Sequence, residues 1–155
     1  IFFSTIAGRI MMIYHQHLNI LAALIWYIGS IALFAKSGEL MLAAEELAPE
    51  LWHHWWVPGG GGMLLGGLKG QWIFRRACKK NRWRIRQLNH PHPWQCYRGI
   101  FYLMLAVMIS TGALLSAWAQ GSYAGLIAVA TLDISLAVGL LYGSQEFWKA
   151  WPQDE

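Results

Sequence analysis

One apolar segment in the first half of the chain constrains the fold more than any other feature. It begins in an aromatic cluster at Trp52, continues through a glycine-rich stretch and ends in a block of positive charge at Lys80. A helix needs about 20 apolar residues to cross about 30 Å of hydrocarbon, and the stretch at 55–74 has that length. The segment therefore predicts a transmembrane helix whose basic end lies in the cytoplasm.

The composition is typical of an integral membrane protein. Of the 155 residues, 56% are hydrophobic and only 13% are charged, whereas soluble domains have roughly 25% charged residues. A chain with so few charges has too little polar surface to cover a water-soluble globule. Its length indicates one domain, at 1–155.

Three further apolar runs reach spanning length, and they lie at 13–35, 97–118 and 123–142. The first run is too long for the apolar core of a signal peptide, so we expect it to stay in the membrane. The residues at 37–50 place leucine and alanine on one side and glutamate on the other, which predicts a surface helix that ends near Pro49. The chain is therefore predicted to be all-α, an integral membrane four-transmembrane-helix bundle with short interfacial helices.

The distribution of charge predicts the orientation of this bundle. The connection at 36–50 contains one Lys and four Glu, whereas the connection at 75–95 contains seven Lys and Arg. The positive-inside rule places the loop at 75–95 in the cytoplasm together with both termini, an N-in/C-in arrangement. No nucleic-acid-binding motif surrounds these charges, so no nucleic acid is expected as a partner. Arg75–Arg86 is expected to contact anionic lipid head groups.

A four-residue glycine repeat marks the second predicted crossing as a packing helix. Gly62, Gly66 and Gly70 recur at i, i+4 and i+8 and therefore form a groove along one face. Small residues of this kind let a neighbouring helix approach to backbone contact in lipid. We expect this helix to lie at the centre of the bundle, beside the third helix. The third helix has a complementary face of small residues: Ala106, Ser110, Ala113 and Ala117.

Asp133 is the most unusual residue, because it lies near the middle of the fourth predicted crossing. A carboxylate at that depth costs roughly 2.5–3.5 kcal/mol on insertion scales, so it is expected to face the bundle and to have a partner. Lys69 on the second crossing is the other deep charge, about 6 Å away in depth. Two interpretations stay open. One is structural: an ion pair with Lys69, or a protonated Asp133 that is hydrogen-bonded to Ser110, Thr111 or a backbone carbonyl. The other is a proton or ion site of Asp133 and Lys69.

Histidines and cysteines are the remaining candidates for chemistry. The six histidines form three couples at predicted interfaces, and His17 and His92 are the candidate axial ligands of a haem or a chlorophyll-type pigment. A chain without any cofactor is nevertheless the leading expectation. No Cys-x-x-Cys or His-Glu-x-x-His spacing occurs and no nucleophile has a sequence-visible partner, so neither a metal site nor catalytic residues are predicted. Cys78 and Cys96 lie on the predicted cytoplasmic side and are expected to be reduced thiols.

Several different short motifs are spread along the chain from the second predicted helix onward: Lys69-Gly70, Arg75, Lys80-Asn81, Arg84-Ile85, Met108-Ile109 and Leu132-Asp133-Ile134-Ser135. In these motifs the chain resembles a group of small four-helix bacterial integral membrane proteins that have no assigned activity. The resemblance implies a multi-pass protein of the bacterial inner (cytoplasmic) membrane. It implies nothing about mechanism.

The leading functional hypothesis is a small non-enzymatic membrane protein, an accessory or structural subunit that packs within a larger membrane protein complex. It rests on short loops, on the lack of a sequence-visible catalytic set and on abundant small and aromatic residues. The expected partners are the lipid bilayer and other integral membrane proteins. Two alternatives stay open: a proton- or ion-translocating protein that uses Asp133 and Lys69, and a haem- or pigment-bearing subunit of an electron-transfer or light-harvesting complex.

Overall fold

A computed structural model describes residues 2–87 and 97–149, apart from the side chains at 2–12, 52–54, 69 and 104. Every regular element in these ranges is helical, which confirms the all-α prediction for them. The α-helices are α1 (Phe2–Leu47), α2 (Gly62–Lys69), α3 (Arg75–Arg86), α4 (Gly99–Ala119) and α5 (Tyr123–Ser144). The 3₁₀ segments are Pro49–Trp55 and Gln145–Trp148, and the π-helical segments are Val57–Gly61 and Gly70–Phe74.

Within the described residues, three helical stretches are long and apolar enough to cross a membrane. They are Ile13–Leu47, Gly99–Ala119 and Tyr123–Trp148. The stretch predicted as the second crossing, at 55–74, is not among these three. It is helical throughout, but π-helical segments flank a short α-helix of 8 residues.

α1 is one continuous helix of 46 residues where the sequence predicted two helices, at 13–35 and 37–50. The prediction of two helices is wrong because the residues between Lys36 and Leu47 are mostly strong helix formers. No proline interrupts them before Pro49, which follows the end of the helix. Lys36 therefore lies inside the helix and does not end it.

α5, not the second predicted crossing, is the central helix. α1 packs antiparallel along one face of α5, so that Ser30 lies beside Ala137 and Asn19 lies beside Phe147. The helical stretch at 57–74 packs along the opposite face. The prediction that the glycine-rich helix is central is wrong because α5 offers small residues to two neighbours at once.

The face of Gly62, Gly66 and Gly70 lies against α5. A Cβ at Gly66 would be 2.5 Å from the carbonyl oxygen of Ser135, and one at Gly62 would be 2.7 Å from Cγ2 of Ile134. The approach is therefore a backbone contact of the kind that small residues permit. The sequence predicted the third helix as the neighbour, which is incorrect. The four small residues of α4 that the sequence offers for this contact are exposed: Ala106, Ser110, Ala113 and Ala117.

The two π-helical segments lie at the two ends of this glycine face. In an α-helix of 3.6 residues per turn, a four-residue repeat drifts around the axis by about 40° at each step. A π turn closes its hydrogen bonds from i to i+5, so it takes up more residues per turn and reduces that drift. The π segments lie at the ends of the repeat, so they affect the residues that flank it and not the glycine steps within α2.

α4 and α5 form the antiparallel hairpin that the short turn predicts. Gly121 in the turn has φ of 85°, a left-handed conformation that glycine adopts at little cost. The Ser122 hydroxyl accepts a hydrogen bond from the amide of Gly125 at 3.3 Å and caps the start of α5. A Cβ at Gly125 would be 3.2 Å from the Cα of Ala119, so the two helices meet closely at the turn.

The basic stretch predicted as a loop at 75–95 begins as a helix. α3 extends from Arg75 to Arg86 and continues directly from the π-helical segment before it. The residues at 88–96, which include His92, lie outside the described part of the chain. α3 contacts α1, α5 and the segment Gln145–Trp148, so this basic helix is part of the packed bundle at this end.

Candidate functional site

A polar layer separates two apolar clusters in the middle of the α1–α5 interface. The Trp26 cluster, at the α3 end, consists of Leu18, Ala22, Ala23, Trp26, Cys78, Ile85, Tyr97 and Phe147. The Leu126 cluster, near the α4–α5 turn, consists of Leu40, Ala44, Ala119, Leu126, Val129 and Ala130. The polar layer between them consists of Ser30, Lys36, Ser37 and Asp133. It brings the candidate residue Asp133 into contact with Lys36 of α1, which in turn contacts α4.

The central contact of this layer joins three helices. Asp133 on α5 is 5% exposed, and its Oδ2 lies 4.0 Å from Nζ of Lys36 on α1. The same Nζ donates a hydrogen bond to the carbonyl oxygen of Gly112 on α4, at 2.9 Å. Lys36 therefore links the central helix to both of its antiparallel neighbours.

Two serines complete the polar layer from α1. The hydroxyl of Ser30, which is fully buried, donates to the carbonyl oxygen of Ala137 on α5 at 2.9 Å. The hydroxyl of Ser37 donates to the carbonyl oxygen of Phe34 in its own helix at 2.8 Å. Both hydroxyls are satisfied, as buried polar groups generally are.

The Asp133 carboxylate is only partly satisfied. Within the described residues its Oδ2 has no hydrogen-bond partner, and 4.0 Å to Lys36 is an ion-pair distance that exceeds a hydrogen bond. The Lys36 side chain is 31% exposed, so the contact has an outlet to the surface of the bundle. Such an arrangement can stabilise the packing of the helices. It can also bind a proton or a cation at Oδ2 of Asp133, the oxygen without a hydrogen-bond partner.

Sequence reasoning identified Asp133 but proposed Lys69 as its cation. The side chain of Lys69 lies outside the described part of the chain, so an Asp133–Lys69 pair stays a prediction. The cation that the structure places at Asp133 is Lys36. The sequence does contain an indication that Lys36 lies within a long helix, because no proline occurs between Ile13 and Ala48. An uninterrupted helix there carries Lys36 past the end of the first apolar run and alongside the middle of α5.

A second polar contact lies at the α3 end of the bundle, around Glu146. This residue is 6% exposed, and its Oε1 accepts a hydrogen bond from Nε of Arg75 at 2.7 Å and another from Nζ of Lys149. Arg82 donates to the carbonyl oxygens of Glu146, at 2.9 Å, and of Lys149, at 2.7 Å. The segment Gln145–Trp148 that follows α5 is therefore fixed to α3 by charge-assisted hydrogen bonds.

α1 fixes the same segment from the other side. The Asn19 amide donates to the carbonyl oxygen of Phe147 at 2.6 Å, and the Trp148 indole N–H donates to the Tyr27 hydroxyl at 2.9 Å. Trp26 packs edge-to-face on Phe147, with ring centroids 6.3 Å apart. The segment Gln145–Trp148 is thus held between α1 and α3, which the sequence pattern did not predict.

The pair of predicted cofactor ligands, His17 and His92, stays a prediction. His17 is exposed, and His92 lies outside the described residues. In the described ranges no three His, Cys, Asp or Glu side chains come close enough to hold a metal ion. Cys78 is a free, buried thiol, whereas Cys96 is not described. Burial raises the pKa of the Cys78 thiol, and the nearby Glu146 carboxylate raises it further.

The helical arrangement and its two polar contacts are thus the features from which a function can be inferred. The resemblance to small bacterial membrane proteins stays a prediction, because no comparison tests it. Comparison with models of protein families, with curated proteins and with solved structures finds no match.

Proposed function

We propose that this protein is a non-enzymatic accessory subunit of a larger complex in the bacterial inner membrane. In this proposal the chain is a multi-pass bundle, and the helical stretch at 57–74 enters the bilayer together with α1, α4 and α5. The single observation that carries the proposal is the exposure of α4. Among the residues that the structure describes, none in the apolar 18-residue window of α4 is buried.

The surface of α4 suits a protein neighbour as well as lipid. Its large side chains are exposed, with Leu114 at 71% and Trp118 at 84%. Its small residues Ser110 and Ala113 are also exposed, as are others on the same face. Because lipid provides no hydrophobic drive for helix association, a face of small residues is what a second transmembrane helix packs against. The occupant that we propose for this face is a transmembrane helix of another protein.

A charge on α1 also favours a protein neighbour over lipid. Lys36 lies beside Asp133, which is the eleventh of the 22 residues of α5. Glu39 lies three residues further on, about 4.5 Å along the helix axis, and its side chain is exposed. A charge that faces hydrocarbon at this level is costly, so a polar group of another chain is expected to cover it.

The distribution of charge supports the N-in/C-in orientation that the sequence predicts. α3, with its seven basic residues, lies at the same end of the bundle as Asn19 of α1 and Glu146 near the end of α5. The positive-inside rule assigns this end to the cytoplasm. At that level the basic side chains are positioned to meet anionic head groups.

Gentle extraction followed by native mass spectrometry tests the proposal. We expect the wild-type chain to be recovered in a larger assembly with other membrane proteins. The variant Ala113→Leu places a bulky side chain on the proposed contact face and should reduce that assembly. Ala128→Leu is the matched control, because Ala128 is also exposed but lies on α5. Recovery of the wild-type chain as a lone monomer would overturn the proposal.

A second candidate function is proton or ion translocation, and the open oxygen of Asp133 favours it. A buried carboxylate with one cation at 4.0 Å and one oxygen without a hydrogen-bond partner among the described residues is a group that binds protons or cations. Flux of protons and cations into liposomes, compared between wild type and Asp133→Asn, tests this candidate. Equal flux in the two proteins removes it.

A further inference from the structure

An open basic cleft lies between α3 and the C-terminal segment. Its volume is about 430 Å3, and its walls include Trp72, Arg75, Arg76, Lys79, Glu146 and Lys149. A volume of this order is typical of small-ligand sites. The cleft is built by two parts of the chain that are fixed to each other, because Arg75 and Arg82 bind the segment that contributes Glu146 and Lys149.

The cleft has an excess of positive charge. Four cations and one carboxylate line it, for a net charge of +3 at neutral pH. Glu146 is engaged by Arg75 and Lys149, and a single carboxylate cannot neutralise both. Among the described residues, neither Arg76 nor Lys79 has an ion-pair or hydrogen-bond partner, and both side chains are exposed. These two cations are therefore available to a ligand.

The position of the cleft indicates where its ligand comes from. It lies where the apolar stretch at 57–74 gives way to the basic helix α3. Trp72 on its rim is 79% exposed and the adjacent Ile73 is 61% exposed. Tryptophans of this kind lie at the head-group level of a bilayer, and apolar side chains next to them contact acyl chains. A ligand with a phosphate head and apolar chains would satisfy both parts of this surface.

We propose that this cleft binds the phosphate-bearing head group of one anionic phospholipid, with its acyl chains over Trp72 and Ile73. Arg76 and Lys79 bind the phosphate, and the Glu146 contact keeps Arg75 and Lys149 at the cleft wall. The proposal rests on the proposed membrane location and adds one defined site to the general attraction of the basic stretch. Basic clefts between helices on the cytoplasmic side are where anionic head groups bind.

Lipid titration of the purified full chain in a neutral detergent tests this site, with native mass spectrometry to count bound lipid. The probes are short-chain phosphatidylglycerol, short-chain phosphatidylcholine and inorganic phosphate. We expect one phosphatidylglycerol per chain at saturation and weaker binding of phosphatidylcholine, whose choline is repelled by the cations. Inorganic phosphate should not displace the lipid at equal concentration, because it lacks acyl chains.

Single substitutions at the cleft give the decisive comparison. Lys79→Gln should weaken phosphatidylglycerol binding about fivefold, since one Lys or Arg near an anionic surface contributes about that factor. Arg76→Gln should have a similar effect, and Lys79→Arg should retain binding. Lys80→Gln is the matched control, because Lys80 is exposed on the same helix but does not line the cleft. It should change the affinity by less than twofold.

Three results would overturn the site. They are unchanged affinity in Lys79→Gln, an equal loss in Lys80→Gln, and displacement of the lipid by inorganic phosphate at equal concentration. The first two would leave only diffuse attraction to the basic stretch, and the third would assign the cleft to a soluble phosphate. None of these results contradicts the accessory-subunit proposal. That proposal fails on a different observation, which is recovery of the chain as a lone monomer.

Discussion

At the scale of single residues, Lys36 and Asp133 have the most unusual surroundings. The lysine extends from α1 to the carboxylate of α5 at 4.0 Å and to a carbonyl oxygen of α4 at 2.9 Å. Removing one member of a buried ion pair leaves the other uncompensated, which costs more than the pair itself contributes. The two residues are therefore expected to behave as a coupled unit in folding.

We predict that Lys36→Met lowers the free energy of unfolding by roughly 2 kcal/mol. The effect is smaller than the full loss for a buried pair, because Lys36 is 31% exposed. Asp133→Leu should also destabilise, and the double variant should be less destabilised than the sum of the two. Unfolding in mixed micelles measures all three. Lys80→Met serves as the control for loss of an exposed lysine, and strict additivity of the two substitutions would contradict the coupling.

Cys78 gives a second residue-scale prediction, from its burial next to Glu146. Because its pKa is raised by burial and by that carboxylate, little reactive thiolate forms at pH 8. In a Cys96→Ser background, Cys78 should react with iodoacetamide much more slowly in the folded chain than after denaturation. The raised pKa also means that stability falls as the pH rises above about 8.5, where the unfolded thiol ionises and the folded one does not. Rapid alkylation of the folded chain at pH 8 would contradict this burial.

At the scale of elements, the glycine face and α5 form the closest helix contact described. Gly66 has the carbonyl oxygen of Ser135 and the side chain of Val138 where its Cβ would be, at 2.5 and 2.8 Å. A Cβ at Gly67, one residue later, would be 4.0 Å from its nearest neighbour, Cε2 of Tyr142. The two glycines therefore differ in packing while they share the same helix, which makes them a matched pair.

We predict that Gly66→Ala destabilises the chain by about 1–3 kcal/mol, because the backbone of α5 must shift to admit the methyl group. Gly67→Ala should be neutral or stabilising by up to about 1 kcal/mol, since alanine is the better helix former and the site is open. The midpoint of thermal unfolding in detergent compares the two. Equal midpoints for both variants would contradict the contact between Gly66 and α5.

Much of the element layout can be predicted from the sequence, and its failures have physical causes. The apolar runs, the hairpin at Gly121 and the small-residue face at Gly62 are local patterns, and each corresponds to a feature of the structure. The third helix was the wrong neighbour to predict for the glycine face, because α4 and α5 both offer small residues and the sequence does not distinguish them. The prediction that the first helix ends at residue 35 is wrong, because the charge of Lys36 does not stop a helix when the residues after it are strong helix formers.

The candidate site was less accessible to sequence reasoning than the fold. Asp133 stands out by its depth in an apolar run, but its partner depends on the register between α1 and α5. That register is set by contacts distant in sequence, such as Ser30 with Ala137 and Asn19 with Phe147. The burial of Glu146 depends on Arg75 and Arg82 in the same way, and the sequence around Glu146 does not show these distant contacts.

At the scale of the whole molecule, α5 organises the bundle. α1, the stretch at 57–74 and α4 all pack on it, while the outer surfaces of these helices remain apolar and exposed. Charged groups gather at the α3 end, in the polar layer at the middle and at the opposite end, where Glu45, Glu46 and Glu50 lie. Exposed apolar surface on this scale is stable in lipid or against other membrane proteins, and in water it would drive aggregation. The central claim is therefore that lipid is the solvent around this bundle.

Alkaline carbonate extraction of membranes from cells that express the full chain tests that claim most directly. Carbonate strips proteins that are bound only at the surface, whereas an integral bundle is released only by detergent. We predict that the chain stays with the membrane pellet at high pH and enters the supernatant when a neutral detergent is added. Recovery of a folded, monodisperse chain in the supernatant without detergent would contradict the account.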